Sequence, residues 1–173
     1  LFTWCAEARA DTLNSYDLNR WKKAGCKHIK IGVESMNSDM LKVYGKKITV
    51  SQIRNIFFSA HQAGLETTAY VLLGCPGFAD EDYQNMWQDI YDLQACNYVV
   101  NILIPYRNTN LYNQTKYDLH KKRLFIEGEE GFIHLSKRMK DYWHISDKTF
   151  NLYMSLNRKK DDSDYREYKR IIL

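Results

Sequence analysis

Two segments of this chain run through the same order of elements. Lys23-Ala24-Gly25-Cys26 leads into His28-Ile29-Lys30-Ile31-Gly32, and Gln62-Ala63-Gly64-Leu65 leads into Tyr70-Val71-Leu72-Leu73-Gly74. Each reads as a helix end, a Gly turn, an apolar strand and a Gly at the strand's carboxyl end. A strand–helix alternation repeating every ~30–40 residues demands a parallel sheet, because parallel neighbours need a crossover long enough to hold a helix. The pattern predicts strands over residues 1–8, 28–33, 67–73 and 98–104. It predicts helices over 16–24, 50–63 and 79–93. Asn14 or Ser15 caps the first helix and Gly25 stops it; Thr49 caps the second and Gly64 stops it. Ile53, Ile56, Phe57 and Ala60 form an apolar stripe at helical spacing. Asp80, Glu81 and Asp82 occupy a first helical turn, where the helix dipole favours acidic groups.

About four such strands make half of an eight-stranded barrel, which needs about 250 residues. The expected fold is therefore α/β: a partial parallel βα barrel, TIM-like, followed by a helical C-terminal extension. An open doubly wound sheet is the alternative. Residues 1–112 form the half-barrel and 113–173 the extension. There the stripe of Phe150, Tyr153, Met154 and Asn157 predicts a helix over 146–157; 164–172 reads as another, and 124–132, with Gly128 and Gly131, as a loop.

Composition narrows the class. Hydrophobic content of 45% and charged content of 27% suit a folded globular chain rather than a disordered one. No apolar run reaches the ~18–20 residues of a membrane span. The opening Leu1-Phe2-Thr3-Trp4 has neither a basic leader nor a cleavage pattern, so a cytoplasmic piece of a longer protein is expected. The net charge of +4 resides in the second part, since residues 1–115 hold 11 basic and 11 acidic side chains. The basic clusters 121–123 and 158–160 are each followed by acidic stretches, the pattern of a solvated helical surface.

Four cysteines, Cys5, Cys26, Cys75 and Cys96, are spaced by 21, 49 and 21 residues. No pair makes the close clamp that zinc or an iron–sulfur cluster requires, so buried or half-buried thiols are expected. Cys75 has no His or Asp partner following it, which argues against a nucleophile. His28 and His61 lack companions at ligand spacing.

Unusual residues gather where the strands end: Glu7, Arg9 and Asp11; Gly32, Glu34 and Ser35; Gly74, Pro76 and Gly77; Pro105 and Tyr106. In parallel α/β proteins ligands bind at that edge. Glu7 and Arg9 alternate about Ala8 and so share a face. If that face is the barrel interior they form a buried ion pair awaiting a polar ligand; otherwise they decorate an edge. Glu34-Ser35 suits ribose hydroxyls, and Ser35 and Asn37 equally suit a helix N-cap. Gly74 and Gly77 let backbone approach a ligand, or make a tight turn.

In order, Trp4-Cys5-Ala6-Glu7-Ala8-Arg9-Ala10-Asp11, Ala24-Gly25-Cys26 with Ile31-Gly32-Val33-Glu34-Ser35, Gly45-Lys46-Lys47 and Leu73-Gly74-Cys75-Pro76-Gly77 resemble the radical S-adenosylmethionine (SAM) superfamily. The likeness spans about residues 1–112. It is greatest to the branch with an N-terminal cobalamin-binding domain, which includes proteins like the anaerobic magnesium-protoporphyrin ester cyclases. The resemblance implies strands three to six of a six-stranded partial barrel, an enzyme that cleaves SAM at a [4Fe-4S] cluster, and a 5′-deoxyadenosyl radical that abstracts hydrogen. It also implies roles. Glu34 matches the ribose-contacting residue, with Ser35 beside it. Glu7 and Arg9 face the SAM site, and Lys46 lies near the SAM carboxylate. The 73–77 run, with Gly74 and Pro76, packs near adenine. The family's C-x3-C-x2-C cluster loop and its SAM-amino-group motif are absent here. Pro105 and Thr109 are what remains of its Pro-Gly-Thr.

The leading expectation is thus a fragment of a radical SAM enzyme for methylation, cyclisation or rearrangement. The fragment is inactive by itself and completed by a missing N-terminal barrel half, with cobalamin, where it is used, carried by a separate N-terminal domain. Its substrate is a small molecule. A second reading, from a different class, is a non-catalytic βα module whose basic, aromatic tail binds a partner protein or RNA. A third is a lyase or aldolase barrel fragment.

Overall fold

A computed structural model describes residues 2–104, 110 and 143–158. Four strands form one sheet in the order β1-β2-β3-β4, with every neighbouring pair parallel: β1 (Trp4–Arg9), β2 (Cys26–Glu34), β3 (Glu66–Leu73) and β4 (Asn97–Ile102). Sequential order without reversal is the arrangement of a barrel wall; a doubly wound sheet reverses direction at its centre. The expected partial barrel is therefore what forms.

Helices fill the crossovers: α1 (Ser15–Lys23) after β1, α2 (Ser38–Val43) and α3 (Val50–Gln62) after β2, and α4 (Asp80–Tyr91) after β3. Local chemistry sets their ends. The Asn14 side chain accepts from the Asp17 N–H at 2.9 Å, so Asn14 rather than Ser15 is the cap of α1. Thr49 and Gln52 make a reciprocal capping box on α3. At α4 the cap runs from Asp82, which accepts from the Ala79 N–H at 2.8 Å. Gly25 and Gly64 end α1 and α3 in the left-handed region that L side chains avoid, at φ +97° and +69°.

The two faces of the sheet divide by strand parity. Ile29, Ile31, Val33, Ala69, Val71, Leu73, Val100 and Ile102 point to one side and are buried against Leu18, Ile53, Phe57, Ala60, Met86 and Ile90 of the helices. These are close to continuous apolar contacts, as a helix-covered parallel sheet requires. Residues of the opposite parity are largely polar: Glu7, Arg9, Lys30 and Asn101.

Beyond β4, the next helix among the described residues, α5 (Asp147–Met154), runs into a 3-10 turn at Ser155–Arg158. It packs on α4. The Tyr153 hydroxyl donates to the Tyr83 carbonyl at 2.6 Å, and the Trp87 and Tyr153 rings meet edge to face at 5.0 Å. The expected helix over 146–157 is thus present, with its last turn tightened. Pro105, Tyr106, Thr109, the basic clusters 121–123 and 158–160 (all but Arg158), the loop over 124–132 and the helix over 164–172 lie outside the described residues.

Candidate functional site

The polar inner face of the sheet and the carboxyl ends of β1–β3 enclose an open groove of about 450 Å³, lined by Glu7, Ala8, Arg9, Lys30, Gly32, Glu34, Tyr70 and Asn101. Register assembles it. Glu7 pairs with Lys30 and Arg9 with Gly32 across β1–β2, and Gly32 pairs with Tyr70 across β2–β3. Cα partners in a parallel sheet put their side chains on the same face, so the alternation legible in β1 carries into its neighbours.

Three carboxylate–cation pairs mark this face and its rim. Lys30 Nζ lies 3.3 Å from Glu7 Oε1, and the Tyr70 hydroxyl donates to that same oxygen at 3.4 Å. Arg9 makes a two-toothed contact with Asp11 at 2.9 and 2.7 Å. Lys46 Nζ lies 2.8 Å from Glu34 Oε1. Glu7 and Arg9 therefore share the inner face, as alternation predicts, but they are not each other's partners. Both remain well exposed, at 69% and 60% for the side chains, so the buried Glu7–Arg9 pair expected for an interior face does not form. The next strand supplies Lys30 to Glu7, and the turn after β1 supplies Asp11 to Arg9. The Arg9 guanidinium holds the Asp11 carboxyl below the usual carboxylate range. Burial works against the Lys30 charge, but Tyr70 and Glu7 more than offset it, and its pKa rises.

Glu34 has the most unusual backbone on the rim. It lies at φ +62°, where the register slips between β2 and β3: Gly32 faces Tyr70, yet Glu34 faces Val71. A non-Gly residue in this left-handed region costs about 1–2 kcal/mol, and such costs concentrate at functional sites. The bulge aims the carboxylate back over Gly32, where an added Cβ would come within 3.1 Å of Oε1. Lys46 reaches it from just past α2; the Lys46 N–H bonds the Leu41 carbonyl at 2.9 Å, which fixes that turn.

The other expected site residues lie elsewhere. Ser35 is fully buried and points away from the groove. Its hydroxyl donates to Met86 Sδ at 2.8 Å and accepts from the Asn37 N–H at 3.0 Å. Of the two candidate caps it is Asn37 that caps α2, accepting from the Asp39 and Met40 N–H groups. Gly74 (φ +94°) is buried, and the room it leaves is taken by the Trp143 indole: a Cβ there would come within 2.4 Å of the ring. Trp143 Nε1 also donates to the Leu103 carbonyl at 2.9 Å. Pro76 is half-buried on the turn beyond, away from the groove lining. Cys75 is buried, and that burial pushes its thiol up to about 11, the reverse of an activated nucleophile. Its N–H bonds the Tyr83 hydroxyl, whose pKa burial raises to about 12.

Lys30, Tyr70 and Asn101 are groove residues that reading the strand ends passes over. Lys30 and Tyr70 sit mid-strand and Asn101 one residue before the end of β4; the signal for them is parity, for each is a polar or half-polar residue on an apolar strand, in phase with Glu7.

A sequentially ordered parallel sheet with an open polar groove at its carboxyl edge defines a βα half-barrel. Residues 7–90, a little under half of the chain, match the family model of the Radical SAM superfamily. An uncharacterised methyltransferase of Pyrococcus horikoshii is 26% identical over 110 residues, covering 64% of this chain and 24% of its own length. Among solved structures, the fold is shared with archaeal Elp3 of Methanocaldococcus infernus (TM-score 0.60, 22% identity, 80% of this chain and 32% of that one). It is also shared with the radical SAM methyltransferase TsrM of Kitasatospora setae, solved with cobalamin and a [4Fe-4S] cluster (TM-score 0.53, 15% identity, 57% and 20%). The chain thus spans about a quarter of the curated relative and a fifth to a third of these structures.

Proposed function

We propose that this chain is part of a radical SAM enzyme and contributes one wall of its SAM and substrate site. The observation that carries the reading is Glu34: a carboxylate held in a costly left-handed conformation, aimed into the groove and tethered by Lys46, inside the segment that matches the superfamily. SAM bears a ribose diol, a carboxylate, an ammonium and a sulfonium. Those groups fit this donor set, for a carboxylate suits a vicinal diol and an ammonium suits a carboxylate. The missing Cβ of Gly32 gives the Glu34 carboxylate its place over the groove. Glu34 would hold the ribose, Lys46 the SAM carboxylate, and Arg9 would flank them from β1. With a [4Fe-4S] cluster held elsewhere in the enzyme, SAM bound here would supply radical hydrogen-abstraction chemistry.

The described residues do not fit the cluster itself. No group of three His, Cys, Asp or Glu among them could hold a metal. Cys26 and Cys75 are buried, while Cys5 and Cys96 are exposed and distant in sequence. In this reading the cluster ligands come from a further stretch of polypeptide, cobalamin from a separate domain where it is used, and the chain alone does not cleave SAM. The outcome for the substrate is methylation, cyclisation or rearrangement, and the site of action is the cytoplasm. Among the described residues no helix is long and apolar enough to cross a membrane. Anaerobic treatment with iron, sulfide and dithionite tests the division. The chain is expected to acquire no cluster absorbance and to release no 5′-deoxyadenosine from SAM. Cluster uptake with SAM cleavage would overturn it.

A further inference from the structure

Lys46 reaches Glu34 from the end of a very short helix. α2 covers only Ser38–Val43 and closes in a Schellman turn. The Gly45 N–H bonds the Lys42 carbonyl at 3.0 Å and the Lys46 N–H bonds the Leu41 carbonyl at 2.9 Å, with Gly45 at φ +67°. That turn fixes how Lys46 leaves the helix. It does not fix where the helix itself points, since so short a helix has little stability of its own.

Tyr44, the C-cap residue of α2, supplies the tie. Its ring packs against the core, and its hydroxyl donates to the Leu72 carbonyl at 3.4 Å. β2 pairs with β3 as far as Glu34 opposite Val71, so Leu72 is the first β3 residue past the bulge. The next carbonyl, that of Leu73, accepts from the Leu103 N–H on the β4 side at 2.7 Å. Successive carbonyls of a strand point to opposite neighbours, so the Leu72 carbonyl faces the side that β2 has left. Tyr44 meets it there, which satisfies a strand-end acceptor and brings α2 onto the sheet.

The bond is long, and it is not the only hold. The Cys75 thiol lies beside the same hydroxyl, and the Cys75 N–H is held in turn by the Tyr83 hydroxyl of α4 at 2.6 Å. Burial above all, with the Cys75 and Tyr83 groups adding to it, pushes the Tyr44 phenol well above its ordinary pKa, so the hydroxyl keeps its proton as a donor. Both halves of the rim pair therefore depend on the end of β3: Glu34 through its register with Val71, and Lys46 through Tyr44. We propose that Tyr44 is the positioning residue of the groove rim: by pinning the end of α2 to the end of β3, it holds the Lys46 ammonium against Glu34 where that pair meets its ligand. The ligand half of this rests on the SAM reading of the site; the hold on Lys46 is independent of it.

Two measurements test it: amide exchange of Lys46 by NMR, and SAM affinity by calorimetry. Tyr44→Phe keeps the ring and drops the hydroxyl, whereas Tyr44→Ala drops both. Tyr98→Phe is the control, because it removes a hydroxyl of the same kind at the α4–β4 junction, where Tyr98 accepts from the Ala95 N–H at 3.1 Å and donates to the Tyr91 carbonyl at 3.2 Å. Relative to the amides of α3, Lys46 exchange is expected to quicken about threefold in Tyr44→Phe and about tenfold or more in Tyr44→Ala. The SAM dissociation constant should rise in the same order. Tyr98→Phe should lower the melting temperature and leave both readings at the wild-type value. The Phe variant carries the test should the Ala variant not fold. Wild-type Lys46 exchange in Tyr44→Phe overturns the proposal, as does faster exchange with SAM affinity unchanged, or the same shifts in Tyr98→Phe. A wild-type chain that binds no SAM, with Lys46 exchange still in the expected order, would instead sink the SAM reading and leave the hold of Tyr44 on Lys46 standing.

Discussion

Lys46 Nζ lies 2.8 Å from Glu34 Oε1, and both side chains are about three-quarters shielded from solvent. The contact joins a bulge at the end of β2 to the turn after α2, twelve residues on. It leaves the Glu34 carboxylate and the Lys46 ammonium beside each other at the groove's rim, while the backbone of Glu34 bears the cost of a positive φ.

That cost is measurable. Glu34→Ala and Glu34→Gly both remove the ion pair, but only Gly adopts φ near +62° without strain. The Gly variant is expected to be more stable than the Ala variant by about 1 kcal/mol, read from urea or thermal unfolding. Equal stabilities would mean that the bulge carries no strain.

Ser35 separates a structural role from a binding one. Its buried hydroxyl bridges Met86 Sδ and the Asn37 N–H, so Ser35→Ala leaves the start of α2 with an unmet donor. A loss of roughly 1–2 kcal/mol in unfolding free energy is expected, with SAM affinity unchanged. A variant of wild-type stability that has lost SAM would place Ser35 at the ligand after all.

The docking of α5 should depend on pH through Asp80. Burial raises its carboxyl pKa, but the Ser146 N–H and hydroxyl, then Thr149 and Gln84, outweigh that and hold it below the ordinary value. A carboxyl with a lower pKa folded than unfolded contributes fully above its unfolded value of about 3.9, and loses that contribution as pH falls through the folded one. Amide exchange over Asp147–Met154 should therefore speed up only as pH falls below about 4. In Asp80→Ala it should be fast already near neutrality. Exchange independent of pH in the wild type, after correction for intrinsic rates, would contradict the assignment.

Much of this architecture is readable before any coordinates, and the reasons are local. Gly25 and Gly64 stop helices where the backbone needs a positive φ, and the stripe of Ile53, Ile56, Phe57 and Ala60 is buried as its spacing requires. What escapes reading is set by other strands. Glu7 finds Lys30 only through the β1–β2 register, and Arg9 turns to Asp11 because a local carboxylate is nearer. Helix α2 spans six residues, too few for an apolar period, although its Asn37 cap is visible. Glu34 and Ser35 stand together in sequence, yet alternation along β2 already sends them to opposite faces, a signal stronger than their adjacency. Gly74 reads as room for a ligand until Trp143, sixty-nine residues later, is seen to fill that room.

The most direct test of the central claim is a calorimetric titration of SAM into the chain and into Glu34→Ala and Lys46→Ala. The account predicts saturable binding to the wild type, weakened roughly ten- to a hundredfold in each variant, as expected for losing a hydrogen bond to a charged group. No SAM binding to the wild type, or binding that both variants retain in full, would contradict it.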